Sequence, residues 1–300
     1  MISTPTVLVL GAGASAPFGF PVGNGLRQRI LRDLRDDQGG AVEWLRNAGY
    51  DLSDIRRFRG ALLYSGKESV DAFLEHRTDC IEVGKAAIAQ ALIPCEQIGA
   101  LFNEHTNLYS YLFRRLNAPL DKFGNNRLSI VTYNYDRSFE HYLFMALKNS
   151  FRLDDKRAAE LVNAIPVVHV HGHLGDLPWQ KAGGRDYTGE CQPDDIRNAS
   201  RTIKIIHEAV EGDPEFRKAH ELIEGAELLV FLGFGYDATN VGRLKINFGR
   251  ESRCQIFGTY FGFTQVEITA ISSHLFQGRL TFGQNAHDAL QFLREMITLS

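Results

Sequence analysis

The chain has 300 residues, 44% of them hydrophobic, with 33 lysines and arginines against 36 aspartates and glutamates, for a formal charge of -3. That length suits one large core with at most a small satellite, and that charge excludes a global field drawing the chain onto phosphate backbones or anionic membranes. Apolar runs such as Thr6 to Leu10 and Leu228 to Gly233 fall far short of the roughly 20 residues of a membrane span. The start, Met1-Ile2-Ser3-Thr4-Pro5, has no basic residue and no signal-peptide pattern. The expected setting is cytoplasmic, with neither membrane nor nucleic acid as partner.

In chain order, Thr6 to Leu10 is a short β-branched and leucine run entering Gly11-Ala12-Gly13-Ala14-Ser15, the profile of a buried parallel strand that ends in a glycine turn. From Gly25 to Leu34, apolar Leu26, Ile30, Leu31 and Leu34 recur at helical spacing among charged residues and predict an amphipathic helix. Residues 36–126 carry helical patterns, including Val70 to Leu74 and Ile98 to Leu116, but no strong strand, and read as a helical insertion within a single domain spanning 1–300. A second strand is expected over Leu128 to Thr132, followed by a helix with Phe139, Tyr142, Leu143, Ala146 and Leu147 on one face. Further strands are expected at Val167 to His171, Glu227 to Leu232, Gln255 to Phe261 and Arg279 to Phe282, with helices over Ile205 to Glu224 and Ala286 to Ile297. The polar stretch Lys181 to Asn198 reads as a mobile loop. This alternation predicts an α/β fold, an open, doubly wound and mostly parallel sheet covered on both faces.

Gly11-x-Gly13-x-x-Ala16 after a strand fits a dinucleotide turn, in which glycines let backbone approach a pyrophosphate; the same residues also suit a tight turn without ligand. Pro17, Gly19, Pro21, Gly23 and Gly25 would break the helix a dehydrogenase places next, so the segment is expected to be an extended loop. No acidic residue ends a second strand about 20 residues on, which disfavours hydride transfer. Thr132-Tyr133-Asn134-Tyr135-Asp136 stands at a strand's carboxyl end, where open α/β sheets place ligands. There Asp136 is either the cap of the next helix or a site carboxylate, and Asn134 is either a turn residue or a neutral donor and acceptor for a ribose hydroxyl or water.

In Val168-His169-Val170-His171-Gly172-His173, period-two alternation puts three histidines on one face. Either they hold a metal, without the partners a zinc hydrolase motif supplies, or His171 alone acts as a neutral base while His169 and His173 are structural. Leu229 to Asp237 reads as another buried strand, ending at Gly233-Phe234-Gly235, a second glycine turn that borders a ligand cleft or simply precedes a helix. Cys80, Cys95, Cys191 and Cys254 are scattered, with no Cys-x-x-Cys pair, and are expected to be reduced.

Taken in order, Gly11-Ala12-Gly13-Ala14-Ser15, Gly19-Phe20-Pro21, Asn134-x-Asp136, His171-Gly172 and Gly233-Phe234-Gly235 resemble the sirtuin superfamily, and more closely the sirtuin-like NAD hydrolases of prokaryotic antiviral defence. The resemblance implies a Rossmann-like NAD-binding fold with a helical subdomain and cleavage of NAD, as substrate, to ADP-ribose and nicotinamide without a metal. It implies that Gly11, Ala12, Gly13, Ala14 and Ser15 hold the diphosphate, with Phe20 and Pro21 also at the dinucleotide. Asn134 would position the nicotinamide ribose and the attacking water, His171 would be the general base, Asp136 would contact the nicotinamide side, and Gly233 and Gly235 would border the adenosine half. Self-assembly or a separately encoded activating or sensor partner is implied for control. Two departures stand out. The four-cysteine zinc ribbon of protein-deacetylating sirtuins is missing, since only Cys191 lies between the histidine and the later glycine turn, and Val22-Gly23-Asn24 replaces their Asp-Phe-Arg. The rivals are a module that senses NAD or ADP-ribose without cleaving it, a metal hydrolase built on the three histidines, and an NAD-dependent deacylase or ADP-ribosyl transferase.

Overall fold

The computed structural model describes residues 1–103, 107–205, 212–247, 249, 253–283 and 288–299. Its centre is a sheet of β1 (Thr6–Leu10), β2 (Leu128–Thr132), β3 (Val167–His169), β4 (Leu228–Leu232), β5 (Gln255–Gly258) and β6 (Leu280–Phe282), in the order β3-β2-β1-β4-β5-β6 with every pairing parallel. The fold is therefore α/β and Rossmann-like. The central strands are uninterrupted apolar runs because both faces are covered. In β1, Leu8 and Leu10 point into one buried cluster and Val7 and Val9 into another, and in β4 Leu228, Val230 and Leu232 alternate with Leu229 and Phe231 in the same way.

Between β1 and β2 the described residues form helices: α1 (Ala12–Ser15), α2 (Gly23–Asp33), α3 (Gly40–Asn47), α4 (Leu52–Tyr64), α5 (Val70–Leu74), α6 (Ile81–Leu92), α7 (Ile98–Leu101) and α8 (Leu108–Arg115). Helix α6 is the hub of this layer, with Ala86, Ala87, Ile88, Ala89 and Ala91 all fully buried; its small side chains let α2, α3 and α11 (Pro193–Thr202) pack closely around it. Helices α9 (Ser138–Phe151) and α10 (Asp155–Asn163) connect β2 to β3. The chain then passes through α11 and α12 (Pro214–Glu224) to β4, and α13 (Ala238–Arg243), α14 (Gln265–Ala270) and α15 (Ala289–Met296) complete the cover.

Several expectations need correction. The segment after β1 is not wholly extended: α1 and a 3-10 turn over Ala16–Phe18 come first, and only then does left-handed Gly19 release the chain into residues 20–22. Strand β3 stops at His169, two residues early, and β5 stops at Gly258. The stretch Lys181 to Asn198 is not a loop throughout, since α11 begins at Pro193, and Tyr187 and Ile196 within it are buried. The expected pattern Ile98 to Leu116 forms α7 and α8, and its residues 104–106 lie outside the described residues, as do 206–211 and 286–287 of the two later helical patterns. No described helix is long and apolar enough to cross a membrane.

Candidate functional site

The crossover to β2 lies on one side of β1 and the crossover to β4 on the other, so the loops after these strands diverge and leave a crevice at their carboxyl ends. A cavity of about 420 Å³ occupies that crevice, within the size range of small-molecule sites. Gly11, Ala12 and Ser15 line it from the first loop, Phe20 and Pro21 from the extended segment, Asn134 and Asp136 from the loop after β2, His171 from the turn after β3, and Gly235 from the loop after β4.

Residues far apart in sequence thus share one opening, but three of the expected contacts do not reach it. Gly13, Ala14 and Gly233 are not on the cavity wall. A Cβ on Gly13 would stand 2.8 Å from the Gly233 Cα, and one on Gly233, whose φ is +58°, would stand 2.2 Å from the Ala14 nitrogen. These glycines let two strand-end loops press backbone to backbone, with the Gly13 N–H donating to the Gly233 carbonyl at 2.9 Å. Gly235 differs, having open space where a Cβ would project. The peptide N–H groups of Ala12 and Gly235 carry no hydrogen bond among the described residues, and they are the cavity's candidates for receiving anionic oxygens.

Asn134 is 8% exposed and held by two donated hydrogen bonds, from Nδ2 to the Gly11 carbonyl and to Ser15 Oγ, both 2.9 Å. Because a carbonyl can only accept, this fixes which end of the amide is nitrogen and leaves Oδ1 without a partner among the described residues. Ser15 Oγ in turn donates to Asp136 Oδ2 at 2.7 Å, and Asp136 Oδ1 accepts from the Ser138 N–H at 3.1 Å. Asp136 is not the cap of α9, which is Arg137 without a side-chain cap bond; from one residue earlier its carboxylate accepts from the Ser138 N–H and, through Ser15, sets the amide of Asn134.

The histidines separate. Past β3 the chain turns at 170–171, and Gly172, with φ +73°, passes so close to the end of α11 that a Cβ would fall 1.8 Å from the Thr202 carbonyl oxygen. The three rings consequently do not share a face. His171 alone reaches the cavity, packing edge-on against Tyr133 at 4.9 Å between ring centres. It is 4% exposed, and its Nε2 is buried without a hydrogen-bond partner. Burial, and after it the charge of Arg243, hold its pKa down at about 3, so the ring is neutral. His169 faces the other way. Its Nδ1 donates to the Asn134 carbonyl at 3.0 Å and its Nε2 meets Glu140 Oε1 at 2.7 Å. Burial opposes its charge, but the Glu140 carboxylate outweighs burial and raises its pKa, while that of Glu140 is lowered. His173 packs against His169 at 5.4 Å. Among the described residues no group of three histidines, cysteines or acids is placed to hold a metal ion, and the four cysteines are free thiols.

A larger cavity, about 660 Å³, opens beside β3 at the sheet edge. Several of its charged groups are already occupied: Lys204 by Asp213 and Glu215, Arg137 by Glu96, and His169 by Glu140. Each cavity is lined by a residue with a buried polar atom that has no partner, Trp179 Nε1 at the larger and His171 Nε2 at the smaller, but the smaller is the one at the carboxyl ends of the central strands.

Sequence reasoning missed Tyr133, whose hydroxyl donates to the Asn240 carbonyl at 2.8 Å and fixes the ring against His171. It also missed the wall made by α5, where Glu68, Asp71 and Glu75 face the cavity. Only Asp71 lies within α5, Glu68 preceding its cap Ser69 and Glu75 closing it, so helical spacing alone did not place the three together. Fold and site together define an α/β protein with a cavity at the carboxyl ends of a parallel sheet. Compared with models of known protein families and with curated proteins, the chain matches none.

Proposed function

We propose that this cavity binds NAD and that the chain hydrolyses the bond between its nicotinamide and ribose, as the sirtuin-like resemblance implies. The observation that carries the reading is the meeting of Asn134 and His171, 37 positions apart in the sequence, at one cavity where His171 Nε2 is buried and unpartnered. Departure of neutral nicotinamide leaves positive charge on the ribose. The free Oδ1 of Asn134 suits a ribose hydroxyl or the attacking water, and the neutral imidazole of His171 suits acceptance of the water's proton. Of the residues expected to hold the dinucleotide, Gly11, Ala12, Ser15, Phe20, Pro21 and Gly235 support the reading as wall residues. Gly13, Ala14 and Gly233 would act only by shaping the loops that bring those residues together.

A cytoplasmic enzyme of this kind would deplete its host's NAD, the outcome expected of an effector in antiviral defence, and would need restraint through self-association or a separately encoded partner. The separation of the three histidines weighs against the metal-hydrolase rival. The decisive assay is nicotinamide release from NAD by the purified chain and by Asn134→Ala and His171→Ala. Release by the parent that both substitutions abolish supports the proposal. NAD recovered intact after long incubation with a chain that binds it would favour the sensing module instead.

A further inference from the structure

The sheet-edge cavity, about 660 Å³, lies within the size range of small-molecule sites and shares no lining residue with the strand-end cavity. Strand β3 is the last of the sheet on this side. The Pro166 carbonyl accepts from the Ile130 N–H and the Val170 N–H donates to the Thr132 carbonyl, so alternate peptide groups of this segment bond to β2. The Val167 peptide falls between them and turns to the free edge, where neither its N–H nor its carbonyl has a partner among the described residues. Val167 lines the cavity.

A second polar group of the lining is also unpaired. Trp179 stacks face to face on Phe144 of α9, with ring centres 4.8 Å apart and planes 4° from parallel, and its Nε1 is buried without a partner. The stacking fixes the indole as a plate that offers an apolar surface and one N–H to donate. Val162, Ile165, Pro166 and Leu222 supply further apolar wall.

The wall's charges leave a small surplus. Lys204 sits with two carboxylates, Asp213 and Glu215, while Glu96 sits with two arginines, Arg137 and Arg185, so these two groups offset each other. His169 and Glu140 form an ion pair, and burial keeps the pKa of His173 below its ordinary value, so that ring adds no charge at neutral pH. What remains is Arg201 of α11 and Lys218 of α12 against Glu221, one helical turn after Lys218. None of these three side chains has a partner among the described residues. Their sum is one net positive charge, which matches a monoanion and falls short of a diphosphate.

We infer that the sheet-edge cavity is a second ligand site and that it takes a small aromatic monocarboxylate. The carboxylate is drawn to Arg201 and Lys218, the ring lies against Trp179 and the aliphatic wall, and the indole and Val167 N–H groups remain to bond polar substituents. Hydrogen bonds from cationic side chains to a carboxylate are of the stronger, charge-assisted kind, and a ring buried against indole adds apolar area and aromatic contact. The residues of the proposed function line the other cavity, so the two sites stand or fall separately.

The test reads the emission of Trp179 in Trp44→Phe, which leaves it the sole tryptophan of the chain. The probes are phenylacetate, its neutral amide phenylacetamide, and inorganic phosphate. Phenylacetate is expected to change the emission saturably, and phenylacetamide to bind roughly tenfold more weakly. Combining Arg201→Gln with Lys218→Gln, both exposed and tolerant of change, should shrink that preference to about twofold, whereas Glu221→Gln should strengthen phenylacetate binding.

No saturable change with phenylacetate, equal affinities for the acid and its amide, or a preference for the acid that survives loss of both cations would overturn the inference. So would inorganic phosphate binding as tightly as phenylacetate, since that marks a bare anion site with no use for the ring. If Trp44→Phe fails to fold, the indole ¹⁵N–H resonance of Trp179 in the unaltered chain, assigned through Trp179→Phe, reads the same titrations. Nicotinamide release enters none of these readouts, so an inert chain that binds phenylacetate defeats the proposed activity alone, and an active chain that does not bind it defeats the second site alone.

Discussion

Two buried polar constellations flank the start of α9, and they are built on opposite principles. On one side Glu96, fully buried, is clasped by Arg137 through Nε at 2.9 Å and Nη2 at 2.5 Å and by Arg185, while Arg137 Nη1 also reaches the carbonyls of Asp176 and Arg185 at 3.1 and 2.9 Å. Several donors converge on a single carboxylate, and the chain is stitched together there. On the other side, in the strand-end cavity, Asn134 keeps an acceptor unused and His171 keeps a buried nitrogen unpaired. A buried polar group without a partner costs about 1–3 kcal/mol; the fold carries several, Arg185 Nε in the clamp among them, and His171 Nε2 differs in belonging to a residue that lines the strand-end cavity. The histidines repeat the lesson within five residues: His169 is paired and its charge favoured, whereas His171 is unpaired and held neutral.

The sharpest way to break this contrast is to damage each side and read both stability and turnover. Arg137→Met leaves Glu96 buried with too few partners and is expected to cost about 3–5 kcal/mol of stability, seen as a lower urea midpoint; an unchanged midpoint would mean that the cluster is not the clamp it resembles. His171→Ala, in contrast, is expected to leave the circular dichroism spectrum unchanged while lowering nicotinamide release roughly 10²- to 10⁴-fold.

Acid provides the next test. The pKa of His171 falls from 6.5 to about 3 on folding, so between those values the unfolded chain binds a proton that the native chain does not, and stability declines as pH is lowered through that window. At pH 4 the loss from this group is about 3 kcal/mol relative to pH 7, and it should vanish in His171→Ala. His169 has the opposite sign. Its pKa is raised on folding, so its contribution is complete below 6.5 and is lost as pH rises through the folded value. The activity profile should show no acid limb near 6.5, since the base stays neutral well below that. The smallest effect is expected at Ser69→Ala, which removes the cap of α5 and costs about 1 kcal/mol. Because Asp71 and Ala72 of α5 line the cavity, that change should also weaken NAD binding modestly.

Much of the fold could be read from the sequence because a strand buried on both faces must be apolar throughout, and Thr6 to Leu10 and Leu128 to Thr132 are recognisable on that ground alone. Where burial is one-sided or a turn intervenes, periodicity misleads. The alternation of His169, His171 and His173 holds in the sequence and ends in space, because Gly172 turns the chain under α11. Glycines at 13 and 233 could be recognised as sites of close approach, but what approaches them is each other's backbone, a fact of tertiary contact that local sequence does not record. Asn134, Asp136 and Ser15 are each recognisable in the sequence as polar groups near strand ends. Their joining into one hydrogen-bonded chain depends on the parallel register of β1 with β2, in which Leu10 stands beside Thr132.

The most direct test of the central claim is nuclear magnetic resonance of the chain labelled with ¹⁵N in its histidine rings, titrated with an NAD analogue whose ribose–nicotinamide bond cannot be hydrolysed. On saturation the Nε2 resonance of His171 is expected to move while those of His169 and His173 hold nearly still. A saturable shift confined to His169 or His173, at the sheet-edge cavity, or no shift at His171 with the analogue demonstrably bound, would contradict it.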